Sequence, residues 1–373
     1  MDFTFIKKID FILVSCAFLL SIFGILTMNS FSENNPFFIK QIIWLSLSLF
    51  VMFVASSIDW KFLKKTNIVM FLYATSVSLL LFLFIVGSVF KGAQSWFDLG
   101  LFSFQPVDFA KLVTIILLAK YFSRRHIEIA NIRHIVVSAF YTFLIFFLVL
   151  LQPDFGSAII IFCIWLCLIF VSGVSKKHLF VVFIIGITSF GFLWQFVFKP
   201  YQKERLVNFI NPMADIRGGG YNVYQSTIAI GSGEVFGKGI GLGSQSKLKF
   251  LPEYQTDFIF AAFAEEWGFI GVLIFLFLFL ILMIRIIKLS LNGESNFEIL
   301  YGFGVFVLFA IHITINIGMN LGLLPVTGNT LPFVSYGGSH LLNEFLALGI
   351  LMGLNKRGRH IHKDIAANEI VGF

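Results

Sequence analysis

Ten apolar runs dominate the chain, near residues 11–28, 39–57, 67–90, 106–122, 134–151, 155–173, 178–198, 257–288, 299–323 and 340–355. A helix needs roughly 20 apolar residues to cross a hydrocarbon core of about 30 Å. Inside a bilayer each segment must satisfy its own backbone hydrogen bonds, so runs of this length predict helices. The fourth and last are short for full spans, and the eighth is long enough to tilt or project from the bilayer. Apolar residues make up 58% of the 373 positions and charged residues 13%, against about 25% charged in a soluble domain. Mean hydropathy is +0.91. A soluble enzyme, a disordered chain and a disulfide-stapled secreted domain are excluded. The expected fold is an all-α polytopic membrane protein, one integral domain over residues 1–373.

Orientation follows from Lys and Arg. With the N-terminus inside, inner segments hold 17 of the 27 and outer segments ten, seven of those in one long loop. Short loops decide orientation, and positive charge stays cytoplasmic. Both termini are therefore expected inside, with 356–373 as a cytoplasmic tail. The first run is too long for a signal-peptide core and lacks a small-x-small cleavage site, so a retained span is expected. The net charge of +7 fits loops facing anionic lipid and is no nucleic-acid footprint. Cys16, Cys163 and Cys167 lie within apolar runs and read as core residues.

The outer segment 199–256, between spans seven and eight, is rich in aromatics, Pro and Gly. Connections this long are usually functional or disordered, and the composition predicts an ordered loop with short helices. Residues 231–243 read GSGEVFGKGIGLG. The run lacks both the Gly and the Ser or Thr of a P-loop. Its glycines are expected to let backbone approach a ligand or a membrane surface.

Several polar residues carry two readings each. Asp108 and Lys111 can pair on one face of span four, either as a local ion pair or with Lys111 as a phosphate-binding cation. Asp154 reads as the N-cap of span six. Glu265 and Glu266 lie about 12 Å into span eight, where acids face protein or a wet cavity. Glu265 is expected on the side of Asp257, and Glu266 on the opposite side. His312, Asn316 and Asn320 form one polar stripe, read as interhelical hydrogen bonding or as part of a site. Residues 325–340 carry no Asp, Glu, Lys or Arg, as expected of a loop folded back into the protein. Asp257 sits where the long loop re-enters the membrane. It reads as an acid on a helix dipole, or as a carboxylate that burial tunes towards a general base.

The stretches GAQSWFDLG (92–100), FQPVDFAK (104–111), LQPDFGSA (151–158), KERLVNFINP (203–212), the run 220–268 ending in TDFIFAAFAEEWG, and NIGMNLGLLPVTGNTLPFVSYGGS (316–339) together resemble the shape, elongation, division and sporulation (SEDS) family of peptidoglycan polymerases. Gln152, the YQKERL run and NIGM are more similar to its RodA-like elongation branch than to its FtsW-like division branch. The chain departs from the family pattern at Ser95 (usually Arg), Asp108 (Glu), Glu234 (Gly), Asn329 (aliphatic) and His340 (a small residue).

The resemblance implies an inverting glycosyltransferase of the bacterial cytoplasmic membrane that polymerises lipid II during cell elongation. Asp257 would be the catalytic base. Lys111 and Arg205, with Arg217 behind them, would meet the pyrophosphate. Asp108, Asp154, Trp96, Glu265 and Ser335 complete the expected substrate-binding set. A divalent cation, Mg²⁺ or Mn²⁺, is a candidate cofactor. Expected partners are a class B penicillin-binding transpeptidase, other elongation-complex proteins and membrane lipid. The alternatives are a lipid-linked precursor flippase or transporter, a non-catalytic scaffold, and the division paralogue.

Overall fold

A computed structural model describes residues 9–30, 36–90, 93–98, 100, 103–123, 132–173, 220–248 and 250–355, with isolated positions between 178 and 209. The helices are α1 (Phe11–Asn29), α2 (Pro36–Ser57), α3 (Thr66–Val86), α4 (Pro106–Ser123), α5 (Ile132–Leu151), α6 (Phe155–Val171), α7 (Tyr221–Ser232), α8 (Ser244–Lys247), α9 (Ile259–Leu291), α10 (Asn296–Asn320) and α11 (Gly338–Leu354). Nine of these coincide with nine of the ten apolar runs, while the run 178–198 lies largely outside the described residues. Six are long and apolar enough to cross a membrane. Two more, α6 and α11, are apolar but 17 residues each. The chain is a polytopic membrane protein.

α4 differs from the others. It carries Asp108, Lys111 and Lys120, and it is buried over nearly its whole length. Charges inside a membrane protein must face protein, and α4 is the helix enclosed by its neighbours. Helices α2, α3, α5 and α6 instead expose apolar side chains such as Phe50, Phe71, Phe140 and Phe170 to the surroundings. Water does not drive helices together within lipid, so close packing and hydrogen bonds must. The α2–α11 contact shows this: a Cβ added to Gly349 would lie 2.7 Å from the Met52 carbonyl oxygen.

The two ends of the bundle differ in chemistry. At one end Arg285 pairs with Asp10, the N-cap of α1. There Lys64 pairs with Glu298 at 2.8 Å, and Lys120 donates to the Lys64 carbonyl. Lys64, Lys120 and Arg285 are residues that the charge count assigns to the inner side. The opposite end gathers the polar residues of α10, the loop 321–337 and the start of α9.

Two features depart from the sequence reading. The all-α expectation is corrected by three short strands, β1 (Ser88–Phe90), β2 (Ala93–Asp98) and β3 (Ser103–Phe104), in antiparallel order β1-β2-β3. Span three was expected to reach residue 90, but α3 stops at Val86, where Gly87 turns extended at φ −64° and ψ 134°. The second departure is in α9, whose 33 residues are broken at Gly268 (φ 64°, ψ −168°). The N–H groups of Lys238 and Gly239 donate to the carbonyls of Glu265 and Glu266, both at 3.0 Å. In return Phe269 and Ile270 donate to the carbonyls of Glu234 and Val235, at 2.9 and 3.1 Å. The glycine-rich run thus approaches the backbone of α9. A Cβ on Gly268 would stand 2.1 Å from the Gly237 nitrogen. Glu234 takes a left-handed φ of 47°.

Candidate active site at the loop end of the bundle

The site is built on α10. Three polar side chains one turn apart face the start of α9 and the loop that follows α10. Asn320 Oδ1 accepts from the Ala261 N–H at 3.1 Å, and its Nδ2 donates to the Asp257 carbonyl at 3.0 Å. The first N–H groups of a helix have no partner within it. Phe258, at the N-cap of α9, offers no side-chain acceptor, so Asn320 supplies one from a neighbouring helix. Asn316 Nδ2 donates to the carbonyls of Asp257 and Asn329, at 3.0 and 2.7 Å. His312 Nδ1 lies 3.3 Å from the Thr330 carbonyl. The polar stripe therefore serves as interhelical glue, and what it fixes is the backbone at Asp257.

The loop after α10 folds back as expected. Leu331, Phe333, Val334 and Ser335 are buried. Ser335 Oγ donates to the Thr256 carbonyl at 2.6 Å and accepts from Leu331 N at 2.8 Å. Tyr336 N donates to the Gln255 carbonyl at 2.8 Å, and Gln41 on α2 donates to the Ser335 carbonyl at 3.2 Å. Asp257 itself is half-buried. Its Oδ2 faces Gly328, where an added Cβ would be 3.7 Å away.

One turn of α10 separates Asn316 from His312, about 6 Å, and His312 meets the second cluster. Lys111 Nζ lies 3.1 Å from Asp108 Oδ1 and 3.5 Å from His312 Nε2. Both members of this pair are buried, Lys111 at 3% and Asp108 at 5% exposure. Asp108 Oδ1 also meets His340 Nδ1 at 3.3 Å, and His340 Nε2 approaches Glu344 Oε1 at 2.9 Å. Glu344 Oε2 accepts from the Phe333 N–H at 2.8 Å. The sequence reading marked His340 only as a departure and passed over Glu344. An acid within an apolar helix, four residues after a histidine, was the available signal.

The remaining candidates are placed differently. Asp154 is the N-cap of α6, accepting from Ser157 N at 3.0 Å, and Gln105 Nε2 reaches its second oxygen at 3.4 Å. Trp96 is half-buried on β2. Glu265 is fully buried and clasps the glycine-rich loop. It accepts from Lys238 Nζ at 2.8 Å, from Gln245 N at 2.9 Å and from Ser246 Oγ at 3.1 Å. Glu266, expected on the side of the helix opposite Asp257 and Glu265, accepts from Gly241 N of the same loop at 2.7 Å. The break at Gly268 brings both acids to one loop. Arg205 and Arg217 lie outside the described residues. Among the described residues no three His, Cys, Asp or Glu side chains converge as a metal site.

The fold and site define a class of membrane protein: a polytopic helical bundle with the backbone of an acid held at one end and a buried lysine–aspartate pair on another helix. The sequence matches the family described as "Cell cycle protein", which groups FtsW, RodA and SpoVE, over residues 3–360. It is 34% identical to stage V sporulation protein E of Bacillus subtilis (strain 168) over 361 residues, covering 94% of this chain and 98% of that one. It is 35% identical to peptidoglycan glycosyltransferase MrdB of Escherichia coli (strain K12) over 295 residues, covering 79% and 80%. The fold is similar to a chain from a peptidoglycan synthase complex that coordinates polymerization and crosslinking. That match has a TM-score of 0.80, 29% identity, and covers 94% of this chain and 98% of the other. This chain belongs to the FtsW/RodA/SpoVE family.

Proposed function

We propose that this protein is a peptidoglycan glycosyltransferase that polymerises lipid II at the outer face of the bacterial cytoplasmic membrane. The observation that carries the reading is the placement of Asp257. Its carbonyl is held by two asparagines and its preceding residue by Ser335, so its carboxylate stands on a fixed backbone at the mouth of the bundle. Preorganisation of this kind is what a base needs. The names of the relatives support the chemistry.

The acceptor 4-hydroxyl attacks the anomeric carbon of the donor from the face opposite the pyrophosphate, and Asp257 takes the hydroxyl proton. The sugar–phosphate bond breaks and the pyrophosphate leaves with the electron pair. Lys111 stabilises that charge when an oxygen of the leaving group replaces part of its bonding to Asp108, and Arg205 and Arg217 of the long loop add to it. A divalent cation would be held chiefly by Asp257 and the phosphates, as Mg²⁺ commonly is, and no step above depends on it. The partner is a class B penicillin-binding transpeptidase, since glycan strands need cross-linking as they form, and a chain of similar fold belongs to a complex that coordinates polymerization and crosslinking. The role is cell elongation, on the strength of Gln152, the YQKERL run and NIGM.

Transport is disfavoured. Between His312 and Glu298 the buried face of α10 is Phe309, Leu308, Val307, Val305, Tyr301 and Leu300, with no charge. Purified protein given purified lipid II, with and without the transpeptidase, tests the reading. Long glycan strands are expected, and their absence under both conditions refutes it.

A further inference from the structure

The buried contacts around Lys111 form a continuous chain to the residue before Asp257. Lys111 meets Asp108, Asp108 meets His340, and His340 meets Glu344. Glu344 holds the N–H of Phe333, a non-glycine residue in the left-handed region at φ 64°. Two residues on, Ser335 holds the carbonyl of Thr256. Asp108 is gripped through one oxygen. Its Oδ2 is buried with no hydrogen-bond partner among the described residues. The ring of His340 stands between the two carboxylates, one on α4 and one on α11, and its centroid is 5.0 Å from that of His312. Asp108 and His340 thus touch across α4 and α11.

We propose that His340 is a positioning residue, matched to Asp108, that locks the Lys111 pair to the folded-back loop and so to Asp257. Space is the reason for the match. A glutamate at 108 would extend the carboxylate by about 1.5 Å, one carbon–carbon bond. The Asp108–His340 gap of 3.3 Å has no room for that. A small residue at 340 would leave Asp108 without its second grip and Glu344 without its neighbour. Each change breaks the same chain of contacts, so making both breaks it no further.

This inference rests on the reading that Asp257 and Lys111 serve one reaction. The test compares four full-length proteins: native, His340→Ser, Asp108→Glu and the double variant. Each is assayed for lipid II polymerisation and for melting temperature in detergent. Each single variant is expected to lose about tenfold or more in kcat, since small misplacements are costly. The double variant is expected to lose no more than the worse single variant, because both changes break one chain of contacts, outside the additivity of independent sites. A residue with only a structural role would lower yield and melting temperature and leave kcat of the folded protein unchanged. A double variant that shows the product of the two losses overturns the proposal, as does native kcat in His340→Ser. If His340→Ser does not fold, Asp108→Glu alone decides, and native kcat there overturns it. If Asp257→Asn polymerises lipid II normally, the assignment of the base fails, while coupling between 108 and 340 is still scored by the cycle. If native protein makes no polymer, the functional reading falls, and additive melting shifts among the four proteins overturn the matched pair.

Discussion

Asn320 caps a helix that is not its own. Its side chain takes the Ala261 N–H and gives a hydrogen bond to the Asp257 carbonyl, so one residue of α10 closes the first turn of α9 and fixes the residue that precedes it. One of the four N–H groups that a helix start leaves open is thereby satisfied from a neighbouring helix.

Asn320→Leu keeps the volume and removes both bonds. The buried Ala261 N–H left behind costs about 1–3 kcal/mol when unsatisfied, while the Asp257 carbonyl keeps its hydrogen bond from Asn316. A lower melting temperature in detergent, with loss of polymerisation, is expected. Unchanged stability would show that other groups close this helix end.

Asp257→Asn should leave the fold and lipid II binding largely intact and abolish polymerisation. Asn keeps the size and an acceptor oxygen but takes no proton, which forfeits a term of roughly 10²–10⁴ in rate. Asp257→Glu should retain little, because a displacement of about 1 Å is enough to cost on the order of 10²-fold. A purified Asn variant that polymerises at the native rate would remove Asp257 as the base.

Lys111→Ala should cut activity more than Asp108→Ala. The cation contributes to leaving-group stabilisation, whereas the acid orients it. Both side chains are buried, so both variants lose stability. Equal falls in activity that track equal falls in melting temperature would favour a purely structural pair.

Gly268→Ala should destabilise strongly, because the added Cβ meets the Gly237 nitrogen at 2.1 Å and the backbone is left-handed. Gly231→Ala, in α7 with no atom within 4 Å of the added Cβ, is the control. It should be neutral or stabilising by roughly 0.4–1 kcal/mol. Similar melting temperatures for the two variants would contradict the backbone exchange at the break.

The two ends of α9 report topology. Cysteine at the exposed Glu253 should react with an impermeant thiol reagent in intact spheroplasts, and cysteine at the exposed Asn292 only after lysis. The reverse pattern would invert the assigned orientation.

Much of this was legible along the chain because the signals are local. Hydropathy marked nine of the described helices, the four-residue spacing of His312, Asn316 and Asn320 marked the stripe, and Asp108 and Lys111 announced their pairing by lying three apart. Asp154 likewise advertised its cap. What stayed hidden depends on contacts between distant segments. Nothing near Gly268 says that its helix breaks, because the break is stabilised by the backbone of 234–239, which has no side-chain pattern. Glu265 was flagged as a buried acid, yet its partners at 238–246 are set by that same break. His340 and Asp108 are separated by most of the protein and meet only once α4 and α11 are packed.

The burial of α4 has a consequence for biogenesis. Charged side chains are costly in a helix that enters lipid, and α4 carries Asp108 in its first turn, Lys111 in its second and Lys120 in its last. Its partners arrive late in synthesis: His312 and His340 follow it by some 200 residues. Until they emerge, the Lys111–Asp108 pair has only itself, and the helix is poorly suited to lie alone in lipid. The last helices made are therefore the ones that seat α4, and truncation before residue 340 should leave a nearly complete set of spans whose central helix has no settled place.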